Sequence, residues 1–326
     1  MMHPHNDTLT AIESIRVGHA ALPGGPSGCT VILPQGGATA GVDVRGGAPA
    51  TCGTDTLHPL NLVHKVHGLF FAGGSAFGLS VAEGLKRYLR DQRVGFDTGH
   101  GLVPIVSGAM IFDLGMNTTD RHPDAELGYE ACLAASDAPV PEGCEGAGLG
   151  ATVGKLHGLH RGMKGGLGSF CIEAPTGVQV GALMVVNAFG NVVEPSGAKT
   201  LAGCRESAES LKILDAEQEI RRLTKLRGFP EGQHTVVGAV ATNVKLTKTQ
   251  LTKVAQMAHD GLARVIFPAH TLYDGDTIFA LSCGDGPNAE VSIIGALAAQ
   301  ATAQAVVRAV IRARAVSRLP AHGDLS

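Results

Sequence analysis

Short β-branched and apolar runs, cut by Gly and Pro, alternate along this chain with a few longer stretches of helical period. Residues 29–33, 40–44, 68–71, 169–172, 180–186, 235–243 and 277–281 have the length and residue types of strands. Helical period appears near 77–90, 125–135 and 204–226. The clearest helix follows Thr247. It opens with a capping box, Thr247 and Gln250, and sets Leu251, Val254, Ala255, Ala258 and Leu262 on one face. The stretch 291–312 is apolar on nearly all sides, which predicts a helix buried in the domain or in a subunit interface. Arg308 and Arg312 fall at its end, where the helix dipole favours them. Ser75 reads as the N-cap of the 77–90 helix. Strands and helices mix without regular βαβ alternation, so the expected class is an α+β layered fold rather than a doubly wound parallel sheet. The charged stretch at about 205–234 has the composition of a linker but lies within what reads as one core, so a single catalytic domain, 1–326, is expected.

Composition narrows the function. With 44% hydrophobic residues in 326, a full core can be built. Lys and Arg number 26 against 29 Asp and Glu, which argues against nucleic acid or an anionic membrane as partner. Charged residues are only 17%, so part of the surface is expected to be covered by other subunits. The seven cysteines form no C-x-x-C pair, the pattern of a reduced, cytoplasmic protein. The first residues hold no apolar signal core, and no apolar run reaches spanning length uninterrupted. The 45 glycines gather at the ends of apolar runs, where strand connections are tight or backbone approaches a ligand.

Several familiar motifs fail on inspection. Gly146-Ala147-Gly148-Leu149-Gly150-Ala151 has dinucleotide-loop spacing but follows no strand. Gly154-Lys155 lacks both the earlier Gly and the following Ser/Thr of a phosphate loop. Gly73-Gly74-Ser75-Ala76-Phe77-Gly78 is one residue too long for a nucleophile elbow. Paired Cys/His spacing is absent and Asp274-Gly275-Asp276 is too short for a calcium loop, so neither metal nor organic cofactor is expected.

What survives is a set of polar residues where buried strands and turns should be apolar. Thr235 opens a β-branched strand just after the Gly/Pro-punctuated loop 227–234. If the bond between His234 and Thr235 is cut, Thr235 gains an α-amine that can serve as base for its own hydroxyl. Lys155 ends a Gly-rich run, Asn187 ends an apolar strand, and Asp274 and Asp276 flank a glycine. Each also has an ordinary explanation: Thr often opens strands, Lys is usually solvated, Asn makes turns, and Asp caps them.

Together these segments resemble the self-processing DmpA-type aminopeptidases and amidases, nearest the nylon-oligomer hydrolase branch. The likeness runs from about residue 14 to about 308. It includes Gly28-Cys29-Thr30-Val31, Asp43-Val44-Arg45-Gly46-Gly47, Gly73-Gly74-Ser75-Ala76-Phe77-Gly78-Leu79 and Lys155. Its most specific part is His270-Thr271 followed by Asp274-Gly275-Asp276-Thr277 and Phe279-Ala280. The resemblance implies an N-terminal-nucleophile-like αββα sandwich, related to ornithine acetyltransferase, cut into 1–234 and 235–326. It implies Thr235 as nucleophile, Lys155 and Asn187 as assistants to nucleophile and oxyanion, and Asp274 and Asp276 as the acidic pair beside them. It also implies a small peptide or amide substrate and a homo-oligomer, a tetramer. Two positions depart from the family. His234 stands where Asn is more frequent. Phe112 falls near a Tyr of some members, which removes one hydroxyl and leaves the oxyanion to Asn187 or to backbone N–H groups. The expected activity is amide hydrolysis through a Thr235 acyl-enzyme. The rivals are acyl transfer of the ornithine acetyltransferase kind and an uncut, inactive binding protein.

Overall fold

A computed structural model describes residues 6–116, 119–226 and 234–325. Of the loop expected at 227–234, residues 227–233 lie outside them. Two sheets form the centre. The first runs in the order Ile15–Ala21, Gly28–Pro34, Gly68–Ala72, Val106–Met110 and Thr51–Cys52. The second runs Gly166–Glu173, Gln179–Asn187, Thr235–Thr242, Thr277–Ser282, Ala38–Val44 and Lys65–Val66.

Strand periodicity explains the layering. Along Thr235–Thr242, Val236 and Val240 join a core with Leu251, Val254, Ala258, Ile294 and Ala298, from the helices Lys248–Val265 and Val291–Ile311. The alternate residues Val237, Ala239 and Ala241 join a core with Ile32, Leu69, Phe71 and Ala109 of the first sheet. Successive side chains point to opposite faces, so one apolar strand supplies both layers. The outer face of the first sheet is covered by Val81–Asp91 and Ala125–Leu133 through Val31, Phe70, Val81, Leu85 and Leu127. The result is an αββα sandwich, as the resemblance implies.

The capping box at Thr247 forms, with both reciprocal bonds in place. The apolar Val291–Ile311 helix is long enough to cross a membrane by length and composition, and it packs on the second sheet with much of its surface covered. Two local expectations are corrected. The helix expected at 204–226 is confined to Ala216–Arg222. Before it, the Arg205 guanidinium holds the carbonyls of His160, Gly162, Ala208 and Ser210, which fixes a non-helical path until Asp215 caps the helix. Ser75 is no cap for the next helix. It lies in the left-handed region, φ 53°, and begins a 3-10 segment, Ser75–Ser80, that leads into Val81–Asp91. The strands Ile15–Ala21 and Val106–Met110 escaped the pattern because Gly, Ser, Arg and His interrupt their apolar positions.

Candidate active site

Thr235 begins the third strand of the second sheet and has 5% of its surface exposed. By the alternation above, its side chain shares the face of Val237, toward the first sheet. Two neighbours hold this strand end. On one side Asn187 is its partner in the antiparallel pair with Gln179–Asn187. On the other the strand pairs in parallel with Thr277–Ser282, and the pairing extends as a bridge between His234 and Asp274.

The bond between His234 and Thr235 is therefore gripped from both ends. The Thr235 hydroxyl donates to the His234 carbonyl oxygen at 2.5 Å, and the Gly275 N–H donates to the same oxygen at 2.9 Å. Gly275 must be glycine here, since a Cβ would stand 2.8 Å from the Thr235 hydroxyl and 2.9 Å from the Ala48 carbonyl. Gly46 answers the same crowding from the other side, with a Cβ position 2.2 Å from the Asp274 carbonyl. The His234 ring is buried against Phe189, centroids 4.6 Å apart, and neither ring nitrogen has a partner among the described residues. Burial, reinforced by the Lys155 charge, holds its pKa well below the ordinary value, so the ring is neutral.

The two aspartates divide their work. Asp276 Oδ1 accepts the Val236 N–H at 2.8 Å, one residue past the candidate nucleophile, and its Oδ2 accepts the His270 N–H and Nδ1–H at 3.0 and 2.8 Å. Asp274 Oδ2 accepts the Thr271 N–H at 2.7 Å. Burial first, and the charge of Asp276 second, raise the Asp274 pKa well above the carboxylate range.

Lys155 is buried against Asn187. Its Nζ donates to the Asn187 side-chain oxygen at 2.8 Å and to the Asn187 carbonyl at 3.2 Å. Burial lowers its pKa to about 7, with the Asp274 charge opposing. The same Asn187 side-chain oxygen takes the Thr152 N–H at 3.0 Å, and its amide N–H goes to the Phe112 carbonyl at 3.0 Å. This differs from the expectation for two residues. The Asn187 amide is turned to Phe112 rather than to an oxyanion, because its oxygen is claimed by Lys155 and Thr152. The hydrogen bonds of Lys155 run to Asn187 rather than to the Thr235 hydroxyl. The donor that reaches the carbonyl is a backbone N–H, that of Gly275.

Four residues had no role assigned from sequence. Lys164, wholly buried, donates to the carbonyls of Leu149 and Ala151 at 2.8 and 2.6 Å. Asp113 accepts from the Ser27 hydroxyl and the Gly74 N–H, both at 2.7 Å. Gly275 and His270 lay inside the quoted motif, but only their neighbours looked chemical. Charged residues inside glycine-rich or apolar stretches, such as Lys164 before Gly165-Gly166, were the signal available.

A cavity of about 80 Å³ opens at Thr235, lined by Ala48, Ala50, Ser75, Met110, Phe112 and Tyr273 together with His234. Its walls are mostly apolar and none of these side chains carries a charge.

Comparison with known proteins agrees with this architecture. A Mycobacterium tuberculosis protein named an uncharacterized aminopeptidase is 39% identical over 98% of each chain. The 6-aminohexanoate-oligomer endohydrolase of Paenarthrobacter ureafaciens is 30% identical over 89% of this chain and 79% of its own. The L-aminopeptidase D-Ala-esterase/amidase of Ochrobactrum anthropi, described as a variant of the Ntn hydrolase fold, superposes with TM-score 0.71 at 20% identity, covering 98% of this chain and 92% of its own. A Burkholderia sp. beta-aminopeptidase does so with the same score at 21% identity and the same coverage. The model of peptidase family S58 matches residues 7–322, so this chain, an Ntn-type αββα sandwich, belongs to peptidase family S58 and is a hydrolase of peptide or related amide bonds.

Proposed function

We propose that the protein is a self-processing amidohydrolase in which Thr235 first cuts its own chain and then serves as nucleophile toward small peptides or linear amides. The observation that carries this reading is the placement of the Thr235 hydroxyl on the carbonyl of the residue before it, with the Gly275 N–H on the same oxygen. Attack of Oγ1 on the His234 carbonyl carbon forms a C–O bond and an oxyanion facing the Gly275 N–H, while the neutral Lys155 amine takes up the Oγ1 proton. Collapse breaks the C–N bond, and the same proton is delivered to the leaving nitrogen of Thr235, which becomes a free amine. Water then hydrolyses the ester, leaving 1–234 with a new carboxylate and 235–326 with an N-terminal threonine.

In the cut enzyme the same chemistry turns outward. The α-amine of Thr235 accepts the hydroxyl proton, and the substrate acyl group replaces that of His234. Lys155, with its pKa lowered to about 7, is available as a neutral amine near pH 7, and Asn187 orients it. Asp274 sets the charge balance around that lysine, and Asp276 holds the strand end through Val236. The names of the relatives, aminopeptidases and a 6-aminohexanoate-oligomer endohydrolase, support short peptides or linear amides as substrates.

The test is the intact mass of the purified protein under denaturing conditions, beside a Thr235→Ala variant. The reading expects two fragments of 1–234 and 235–326 that are absent in the variant. A single full-length species for both proteins sinks it and favours an uncut binding protein.

A further inference from the structure

Behind Asp276 lies a pair of histidines that the mechanism above does not use. His270 gives two donors to one oxygen of Asp276, its backbone N–H at 3.0 Å and its Nδ1–H at 2.8 Å. The other oxygen of the same carboxylate takes the Val236 N–H, next to Thr235. His270 holds this geometry in the left-handed backbone region, φ 58°, which most side chains avoid. Its ring stands edge-on to His259, centroids 4.8 Å apart. His259 is itself fully buried on the Lys248–Val265 helix, with Nε2 on the Asp43 carbonyl at 3.1 Å and 3.6 Å from the Asp43 carboxylate.

Each ring leaves one buried nitrogen, His259 Nδ1 and His270 Nε2, without a partner among the described residues. That is a cost an apolar side chain of the same size would avoid. What the His270 imidazole supplies, and a phenyl ring cannot, is the Nδ1–H on Asp276. We infer that His270 is a positioning residue for self-cleavage: with His259 buttressing its ring, it aims Asp276 so that the Val236 N–H, and through it the Thr235 hydroxyl, is held against the His234 carbonyl. The inference rests on the self-cleavage reading above and names a residue which that reading leaves without a role.

The test uses full-length chains and follows self-cleavage over time by intact mass, at fixed pH. Three substitutions separate geometry from packing. His270→Asn places an amide N–H where Nδ1–H stands and tolerates left-handed backbone. His270→Gln extends its amide toward the Nε2 position instead. His270→Phe keeps the ring and removes the donor. The expected result is cleavage within about threefold of the parent for Asn, and at least about tenfold slower for Gln and Phe, the scale of one lost charge-assisted hydrogen bond. Thermal midpoints are compared in a Thr235→Ala background, where no chain is cut, so that loss of fold is read separately. Equal rates for Asn and Gln overturn the inference even if the Phe variant fails to fold, and a Phe variant that cuts at the parent rate overturns it outright. A parent chain that never cuts is a different result: it removes the self-cleavage reading itself, and the inference goes with it.

Discussion

Lys155 and Lys164 occupy neighbouring pockets, with 4% and 0% of their surfaces exposed. Burial lowers both pKa values, to about 7 and about 8. The surroundings differ in kind. Lys164 reaches two main-chain carbonyls, Leu149 and Ala151, and ties down the glycine-rich turn that carries them. Lys155 reaches Asn187, the register partner of Thr235, and feels the Asp274 carboxylate. Desolvation alone therefore says little about chemistry. A depressed amine becomes a candidate base only where the groups around it lead to a reacting atom.

The sharpest way to break this comparison is Lys155→Met. Self-cleavage is expected to slow by at least ~100-fold, the scale of a lost general base, while the chain stays folded. A rate close to the parent's, read by intact mass, would place Lys155 with Lys164 as a structural cation. Gly275→Ala tests the other side of the same carbonyl. Its Cβ would stand 2.8 Å from the Thr235 hydroxyl, so a slowing of roughly 30-fold or more is expected from a displaced nucleophile and oxyanion donor. Unchanged kinetics there would show that the close approach of residue 275 to the hydroxyl does not limit the reaction.

The pH dependence sharpens the contrast further. The neutral form of Lys155 grows as pH rises through its pKa of about 7. Self-cleavage should accordingly rise about tenfold between pH 6 and 8 and then level off. Ionisation of Asp274 works the other way, since its carboxylate favours the lysine cation. A rate that falls over this range would contradict a neutral lysine. Lys164→Met is expected to act on stability instead. Two carbonyls lose their donor, at a cost of about 2–4 kcal/mol in denaturant unfolding, yet the folded fraction still cuts itself. The smallest effect is expected of Thr247→Ala, remote from both pockets. Losing the capping box should cost about 1 kcal/mol and leave cleavage as it was. A change in rate with that variant would mean that cleavage follows global stability rather than the site.

Much of the fold was legible in local pattern. The 235–242 strand, the capped helix after Thr247 and the all-round apolar helix Val291–Ile311 each carry their own periodicity. The helix expected at 204–226 failed because Arg205 binds carbonyls on both sides of its own loop, a contact that local propensity does not contain. In the site, Thr235, Lys155, Asn187, Asp274 and Asp276 were visible as polar residues in apolar surroundings, and the structure gathers them at one end of the second sheet. Their partners were not visible. Asn187 turns its amide to Phe112, just past the end of Val106–Met110 in the other sheet, and Lys164 looks in sequence like any lysine before a glycine run.

By itself, then, the sequence determined the class of the fold, the residue types at the site and the strand that opens on Thr235, because periodicity, capping and turn chemistry are properties of neighbours along the chain. Only the tertiary structure decided that the Gly275 N–H meets the His234 carbonyl and that His270 stands behind Asp276. Both follow from the parallel pairing of Thr235–Thr242 with Thr277–Ser282, a register set by packing between two sheets and their helices rather than by either segment alone.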